Sequence, residues 1–231
     1  GGMGKTTLVT NVYEREKVNF TAHAWIVVSQ TYTVEALLRK LLRKIGYMEQ
    51  ANLADMDVHD LKGKLKEKLK DRKCLIVLDD VWDKKVYFQM QDAFQNLQEI
   101  RIIITTREND VAALATSACR LKLQPLNGTD AFELFCRRAF YNKKEHKCPN
   151  ELEKVATSIV DRCHGLPLAI VTIGSLLSSR RPVEYVWNHM YNRFRAELVN
   201  NDHVRAILNL SYHDLSGVLR SCFLYCALFP E

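Results

Sequence analysis

The 231-residue sequence has no internal repeat, no low-complexity tract and no apolar run long enough to cross a bilayer. Its longest nearly apolar stretch, "GLPLAIVTIGSLL" from Gly165 to Leu177, falls short of the roughly 20 residues that a spanning helix needs. No basic segment followed by an apolar core opens the chain, so no secretory signal is read there. A soluble protein of the cytoplasm is the expectation. Zinc-type ligand spacing is also missing: Cys222 and Cys226 are four apart, but no second ligand pair follows them. The seven cysteines are odd in number and several lie in apolar context, Cys74 before "LIVL" and Cys163 on a helical stripe among them. Reduced, mostly buried thiols are expected.

Charge is not strongly one-sided. The net charge of +6 permits an anionic partner without demanding one. Much of the excess lies in "LKGKLKEKLKDRK" from Leu61 to Lys73, where Leu61, Leu65 and Leu69 form a narrow apolar stripe among lysines. Aromatic residues do not interleave with these lysines, so a solvated helix face is the reading and a nucleic-acid surface is not. A content of 47% hydrophobic and 26% charged residues excludes extended disorder and fits one or two globular domains.

What is present begins at the first residue. "GGMGKTTLVTNVYER" carries most of a phosphate-binding loop, G-x-x-x-x-G-K-[ST], although the pattern's first glycine would lie before Gly1. Gly2 and Gly4 let backbone N–H groups approach a phosphate, Lys5 adds a cation, and Thr6 offers a hydroxyl to magnesium. Leu8, Val9, Val12 and Tyr13 recur at helical spacing, so the glycines are expected to lead into a helix whose dipole also favours an anion.

Strand-like and helix-like runs then alternate. "AHAWIVVS" (Ala22 to Ser29) reads as a strand, and Leu37, Leu38, Leu41, Leu42 and Ile45 mark an amphipathic helix. "CLIVLDD" (Cys74 to Asp80) is continuously apolar before its aspartates, as suits a strand covered on both faces. "RIIITTR" (Arg101 to Arg107) and the more polar "CRLKLQPL" (Cys119 to Leu126) read as two further strands. This order implies a mainly parallel α/β sheet flanked by helices. Beyond Pro125 the chain reads as all helix, with capping boxes expected at Asp130 with Glu133 and at Asn150 with Glu153. Pro149 and Pro182 fall in connections.

Two carboxylates end the buried strand. Magnesium held between Thr6 and phosphates wants an acidic neighbour, and Asp79 is the better placed, which leaves Asp80 to orient or deprotonate a water. Arg107, ending the next strand, stands where it could sense a γ-phosphate.

The blocks "GGMGKTT", "AWIVVSQTY", "CLIVLDDVWD", "RIIITTREND", "LKLQPLNGTDAFELFCRRAF", "CHGLPLAI" and "CFLYCALFPE" together resemble, in order and spacing, the nucleotide-binding NB-ARC module of plant disease-resistance proteins, the NLR immune receptors. Trp82 in "LDDVW" and the block "CFLYCALFPE" resemble the coiled-coil class and not the TIR class. The resemblance covers essentially the whole chain. It implies a P-loop NTPase domain over residues 1–122, a helical subdomain over 123–198, and the first part of a winged helix over 199–231. It also implies a fragment: a strand central to the sheet would precede Gly1, beside "AWIVV" and "RIIIT" or "CLIVL", and a histidine-containing motif that closes over ADP would follow Glu231.

By the same resemblance, ADP or ATP with magnesium is the expected cofactor. Gly2, Met3 and Gly4 would belong to the nucleotide-binding loop, Lys5 would meet the β- and γ-phosphates, Thr7 the α-phosphate region, and Arg107 the γ-phosphate. Thr6 and Asp79 would hold the magnesium, and Pro167 in "GLPL" would pack on the adenine, which also suits a proline opening a core helix. The implied function is a switch, resting with ADP and active with ATP, in a defence receptor. A coiled-coil domain would lie before this module and leucine-rich repeats after it, with oligomerisation on activation. Two alternatives stay open. One is a continuously turning-over ATPase or phosphotransferase, although no arginine cluster suited to a lid follows "ITTREND". The other is a DNA-binding regulator of the same superfamily.

Overall fold

The computed structural model of the protein describes residues 1–47, 53, 55–201 and 203–229. These separate into two compact units, Lys5–Lys122 and a second made of Gly1–Gly4 with Leu123–Glu231.

In the first unit the order is α1 (Lys5–Glu16), β1 (Ala22–Val27), α2 (Val34–Lys44), α3 (Val58–Leu69), β2 (Cys74–Val81), α4 (Lys85–Met90), β3 (Ile100–Thr106) and α5 (Asn109–Ala112). The strands form one parallel sheet in the order β1-β2-β3. The register runs from Ala22 opposite Cys74 to Val27 opposite Asp79, and from Cys74 opposite Ile100 to Leu78 opposite Ile104. The most apolar run takes the centre because only a central strand is covered on both faces and paired on both edges. "CLIVL" is therefore not the neighbour of a gap. That expectation is corrected, because it pairs with both "AWIVV" and "RIIIT".

One face of the sheet presents Ala22, Ala24, Ile26, Ile76 and Leu78 to the leucines of α2 and to Leu61, Leu65 and Leu69 of α3. Leu61, Leu65 and Leu69 are completely buried, each contributing about 1.5–3 kcal/mol of apolar transfer. The lysines between them are only partly exposed, since Lys62 pairs with Asp92 at 2.8 Å and Lys64 and Lys68 lie over the Tyr47 ring, so the expectation of a fully solvated basic face is corrected. The opposite face packs Leu75 and Val77 against Tyr13 of α1, with Val9, Trp25 and Ile103 around them. Tyr13 is the one buried residue of α1. Leu8 is exposed, so the apolar stripe read from the sequence is narrower than its composition suggests.

"CRLKLQPL" does not form a strand. Ser117–Cys119 is a single 3-10 turn, and the following residues take no regular structure up to α6 (Gly128–Ala139). Arg120, Lys122 and Gln124 leave this run one apolar face at most, and Leu121 is 75% exposed. Alternation without a ladder to join is not enough to fix a strand.

The second unit continues with α7 (Asn150–Arg162), α8 (Pro167–Ser178), α9 (Glu184–Asn200), α10 (His203–Asp214) and α11 (Gly217–Cys226). Its core gathers Phe135, Ile159, Ile170, Ile173, Trp187, Phe194 and Ile207. Phe140 stacks on Trp187 with ring centroids 5.5 Å apart, and Phe135 meets the same indole edge-on at 5.8 Å. Among the described residues no helix is long and apolar enough to cross a membrane.

Neither expected capping box forms. Asn127 caps α6, accepting from the Asp130 N–H at 2.9 Å, so Asp130 is the third helical residue and not the cap. Pro149 occupies the cap position of α7 in an extended conformation with no side-chain hydrogen bond, which places Asn150 inside the helix. Cys119, Cys222 and Cys226 are exposed, whereas Cys74, Cys136 and Cys163 are buried. The expectation of mostly buried thiols is corrected for the first three, because Cys222 and Cys226 lie on α11, which buries no residue. Pro230 and Glu231, which close the block "CFLYCALFPE", lie outside the described residues.

Candidate nucleotide and metal site

Parallel strands align their carboxyl ends, so residues far apart in sequence meet at one edge of the sheet. Here that edge brings together the first turn of α1, the end of β2 and the end of β3. The Thr6 hydroxyl donates to Asp79 Oδ1 at 3.0 Å. The Thr105 hydroxyl donates to the same oxygen at 2.5 Å. Asp79 and Thr105 are each only 4% exposed, so the carboxylate is held by two hydroxyls where water has little access. Buried polar groups persist when they are bonded in this way.

The backbone accounts for the arrangement. Beyond Leu78 opposite Ile104 the ladder resumes at Val81 opposite Thr106, so Asp79 and Asp80 together face Thr105 alone. Two residues opposite one is the count of a β-bulge. Asp80 takes φ 57°, a left-handed conformation that aspartate tolerates better than β-branched residues do. Its N–H, displaced from the ladder, donates to Thr105 Oγ1 at 2.8 Å. The Asp79 carbonyl accepts from the Val28 N–H at 2.9 Å on the other side.

Asp80 turns outward. Arg107 Nε lies 3.6 Å from Asp80 Oδ1, and the guanidinium sits 4.8 Å from the centre of the Trp82 ring. Side-chain exposures of 47% for Arg107 and 35% for Asp80 keep this ion pair weak on its own, in the range of about 0–1 kcal/mol. Stacking on the half-buried Trp82 adds orientation.

The glycine-rich start has the backbone it needs. Gly2 and Gly4 have φ 76° and 85°, and a side chain on Gly2 would place its Cβ 2.8 Å from Leu168 Cβ. Within the helical unit the Leu168 N–H donates to Gly2 O at 3.1 Å, one residue after Pro167, which opens α8 at its first position. Lys5 is the first residue of α1.

Of the residues singled out from the sequence, Thr6 and Asp79 are thus brought into contact, and Asp80 is paired with Arg107. Gly2 lies against the residue that follows Pro167. Met3, Lys5 and Thr7 have no side-chain partner among the described residues. Sequence reading missed Thr105 and the seat that Trp82 gives Arg107. The signal for Thr105 was the doublet before Arg107 in "IIITTR", which β-propensity alone explains equally well.

Chemically the cluster offers hard oxygen donors of the kind magnesium takes. One hydroxyl and one carboxylate suffice when phosphate oxygens and water supply the remaining ligands. The residues present fit that group.

Residues 1–145 match the NB-ARC domain family. The whole chain is 34% identical to Disease resistance protein RPM1 of Arabidopsis thaliana and spans 26% of it. It is 35% identical to Disease resistance RPP13-like protein 4 of the same plant, spanning 28%, and 31% identical to Disease resistance protein RGA5 of Oryza sativa subsp. japonica, spanning 21%. The chain therefore spans about a quarter of the length of these curated relatives. Among solved structures, that of Drosophila ORC bound to DNA aligns with 96% of this chain and 59% of its own, at TM-score 0.48 and 13% identity.

Proposed function

The chain belongs to the NB-ARC family, and from that premise we propose that it is the ADP- and ATP-binding switch of a plant intracellular immune receptor acting in defence. The observation that carries this reading is the meeting of Thr6, Asp79 and Thr105 behind the N-terminus of α1. Phosphates are assigned to that N-terminus and to the backbone of Gly2, Met3 and Gly4, with Lys5 as the mobile cation and Thr7 toward the α-phosphate. Magnesium, when bound at Thr6 and Asp79, offsets charge on the phosphate oxygens. Pro167 is assigned to the adenine.

Asp80 is the catalytic residue of this proposal, orienting a water. Its engagement by Arg107 supports slow hydrolysis that resets a switch in preference to continuous turnover. Arg107 is the γ-phosphate sensor, and it exchanges one anionic partner for another. A ligand shifts a two-state equilibrium only by its differential affinity for the states, and an arginine that can pair with Asp80 or with a γ-phosphate provides such a difference between ADP and ATP. Coiled-coil and leucine-rich-repeat partners and oligomerisation on activation belong to the same proposal for the larger protein.

The test is titration of a fluorescent ADP analogue into the chain with magnesium, beside Lys5→Ala. Saturable binding that Lys5→Ala abolishes is the expected result. Binding that survives unchanged in Lys5→Ala overturns the phosphate assignment.

A further inference from the structure

The hydroxyl of Thr105 has one proton to give and lone pairs to accept with. It accepts from the Asp80 N–H at 2.8 Å, and its own proton goes to Asp79 Oδ1 at 2.5 Å. Thr6 donates to that same oxygen at 3.0 Å. Both hydroxyls thus converge on Oδ1. Oδ2 receives no hydrogen bond among the described residues, and it is not among the sealed side-chain atoms that lack a partner. The carboxylate is therefore held through Oδ1 by two hydroxyls, and Oδ2 is left unbonded and not wholly sealed.

The geometry points to Thr105 as a positioning residue for the metal site: bonded to the β-bulge amide of Asp80 and to Asp79 Oδ1, it fixes which oxygen of Asp79 is presented to magnesium. The inference rests on the nucleotide and magnesium reading above and goes beyond it, because Thr105 itself touches neither group. The bulge is what makes the device work. It removes one amide from the β2–β3 ladder, and Thr105 satisfies that amide and orients Asp79 with a single hydroxyl. Valine fills the same volume but does neither. Serine does both and loses only a methyl group.

Partners of this kind behind a metal ligand typically contribute about 10–100-fold to metal affinity. The readout is the ratio of ADP affinity in magnesium to that in EDTA, measured on the purified chain with the fluorescent analogue. Thr105→Val and Thr105→Ala are expected to lower that ratio by at least about tenfold while the EDTA affinity holds, and Thr105→Ser to restore it. In an Asp79→Asn background the valine change is expected to have no further effect, since a residue acting through Asp79 is not additive with it.

A wild-type ratio retained in Thr105→Val, a serine variant as impaired as the valine one, or an additive loss in the double variant overturns the inference. So does failure of both hydroxyl-free variants to fold, which would make the role structural. A wild-type chain that binds ADP with no magnesium dependence removes this inference alone, whereas one that binds no ADP under either condition removes the nucleotide reading beneath it.

Discussion

The sheet unit and the helical unit each bury an extensive apolar core, but they treat polar side chains differently. Among the described residues the two buried polar side chains, Asp79 and Thr105, both lie in the sheet unit and bond to each other. Among the described residues the helical core holds no buried polar or charged residue, and the indole N–H of Trp187 is buried there without a partner. Topology gives the reason. Parallel strands end together, so one edge collects side chains from residues 6, 79 and 105. Helices instead bring neighbours three and four apart onto one face, and in α7 and α8 those faces are apolar. Polar chemistry concentrates where the backbone converges many parts of the chain and where a bulge leaves an amide to be satisfied.

The largest expected effect lies on the apolar side of this comparison. Trp187→Ala removes a fully buried ring that stacks on Phe140, and an aromatic truncation of this kind costs about 3–5 kcal/mol. Losing an unpaired indole N–H returns some of that, since a buried unsatisfied donor costs about 1–3 kcal/mol. Urea unfolding is expected to register a net loss of about 2 kcal/mol, the difference between the middles of those two ranges. A smaller loss would mean that the helical core is not the tightly packed region described.

On the polar side the two aspartates separate. Asp79→Asn is expected to weaken magnesium-dependent ADP binding by about 10–100-fold. Asp80→Asn, which keeps a side chain tolerant of the left-handed backbone, should change stability by less than ~1 kcal/mol. It is expected to slow single-turnover ATP hydrolysis while leaving magnesium-dependent binding in place. Equal effects of the two changes on binding would erase the division of labour along β2.

The smallest effect is chemical. Burial raises the Cys163 thiol to about 12, so it stays protonated in the folded chain while an unfolded cysteine ionises near its ordinary value of about 8.5. Because the folded value is the raised one, this thiol's contribution to stability is complete below the unfolded pKa. It declines as pH rises from there toward 12 and is lost beyond it. At pH 8 iodoacetamide should modify the exposed Cys119, Cys222 and Cys226 and spare Cys163, as mass spectrometry of digests would record. Rapid alkylation of Cys163 in the folded chain would contradict its place in the core.

Much of this is legible in the sequence. The leucine stripes of α2 and α3 and the continuous apolar run of β2 announced themselves by period and length, because burial selects side chains along one element at a time. The glycines before Lys5 and the aspartates after "LIVL" marked the site for a related reason: few other residue types serve those positions. Reading failed where a partner from another element decided the outcome. "CRLKLQPL" alternated like a strand and joined no ladder. Asn150 had the spacing of a cap, but Pro149 took the position.

The sequence by itself determined which segments are apolar enough to be buried, the α/β class of the first unit, and the residue types available for phosphate and magnesium. Tertiary structure alone decided that "CLIVL" is central, that Asp79 faces inward and Asp80 outward, and that Thr105 joins them. The physical reason is register. A one-residue bulge opposite Thr105 changes which side chain points where, and that offset exists between two strands, not within either of them.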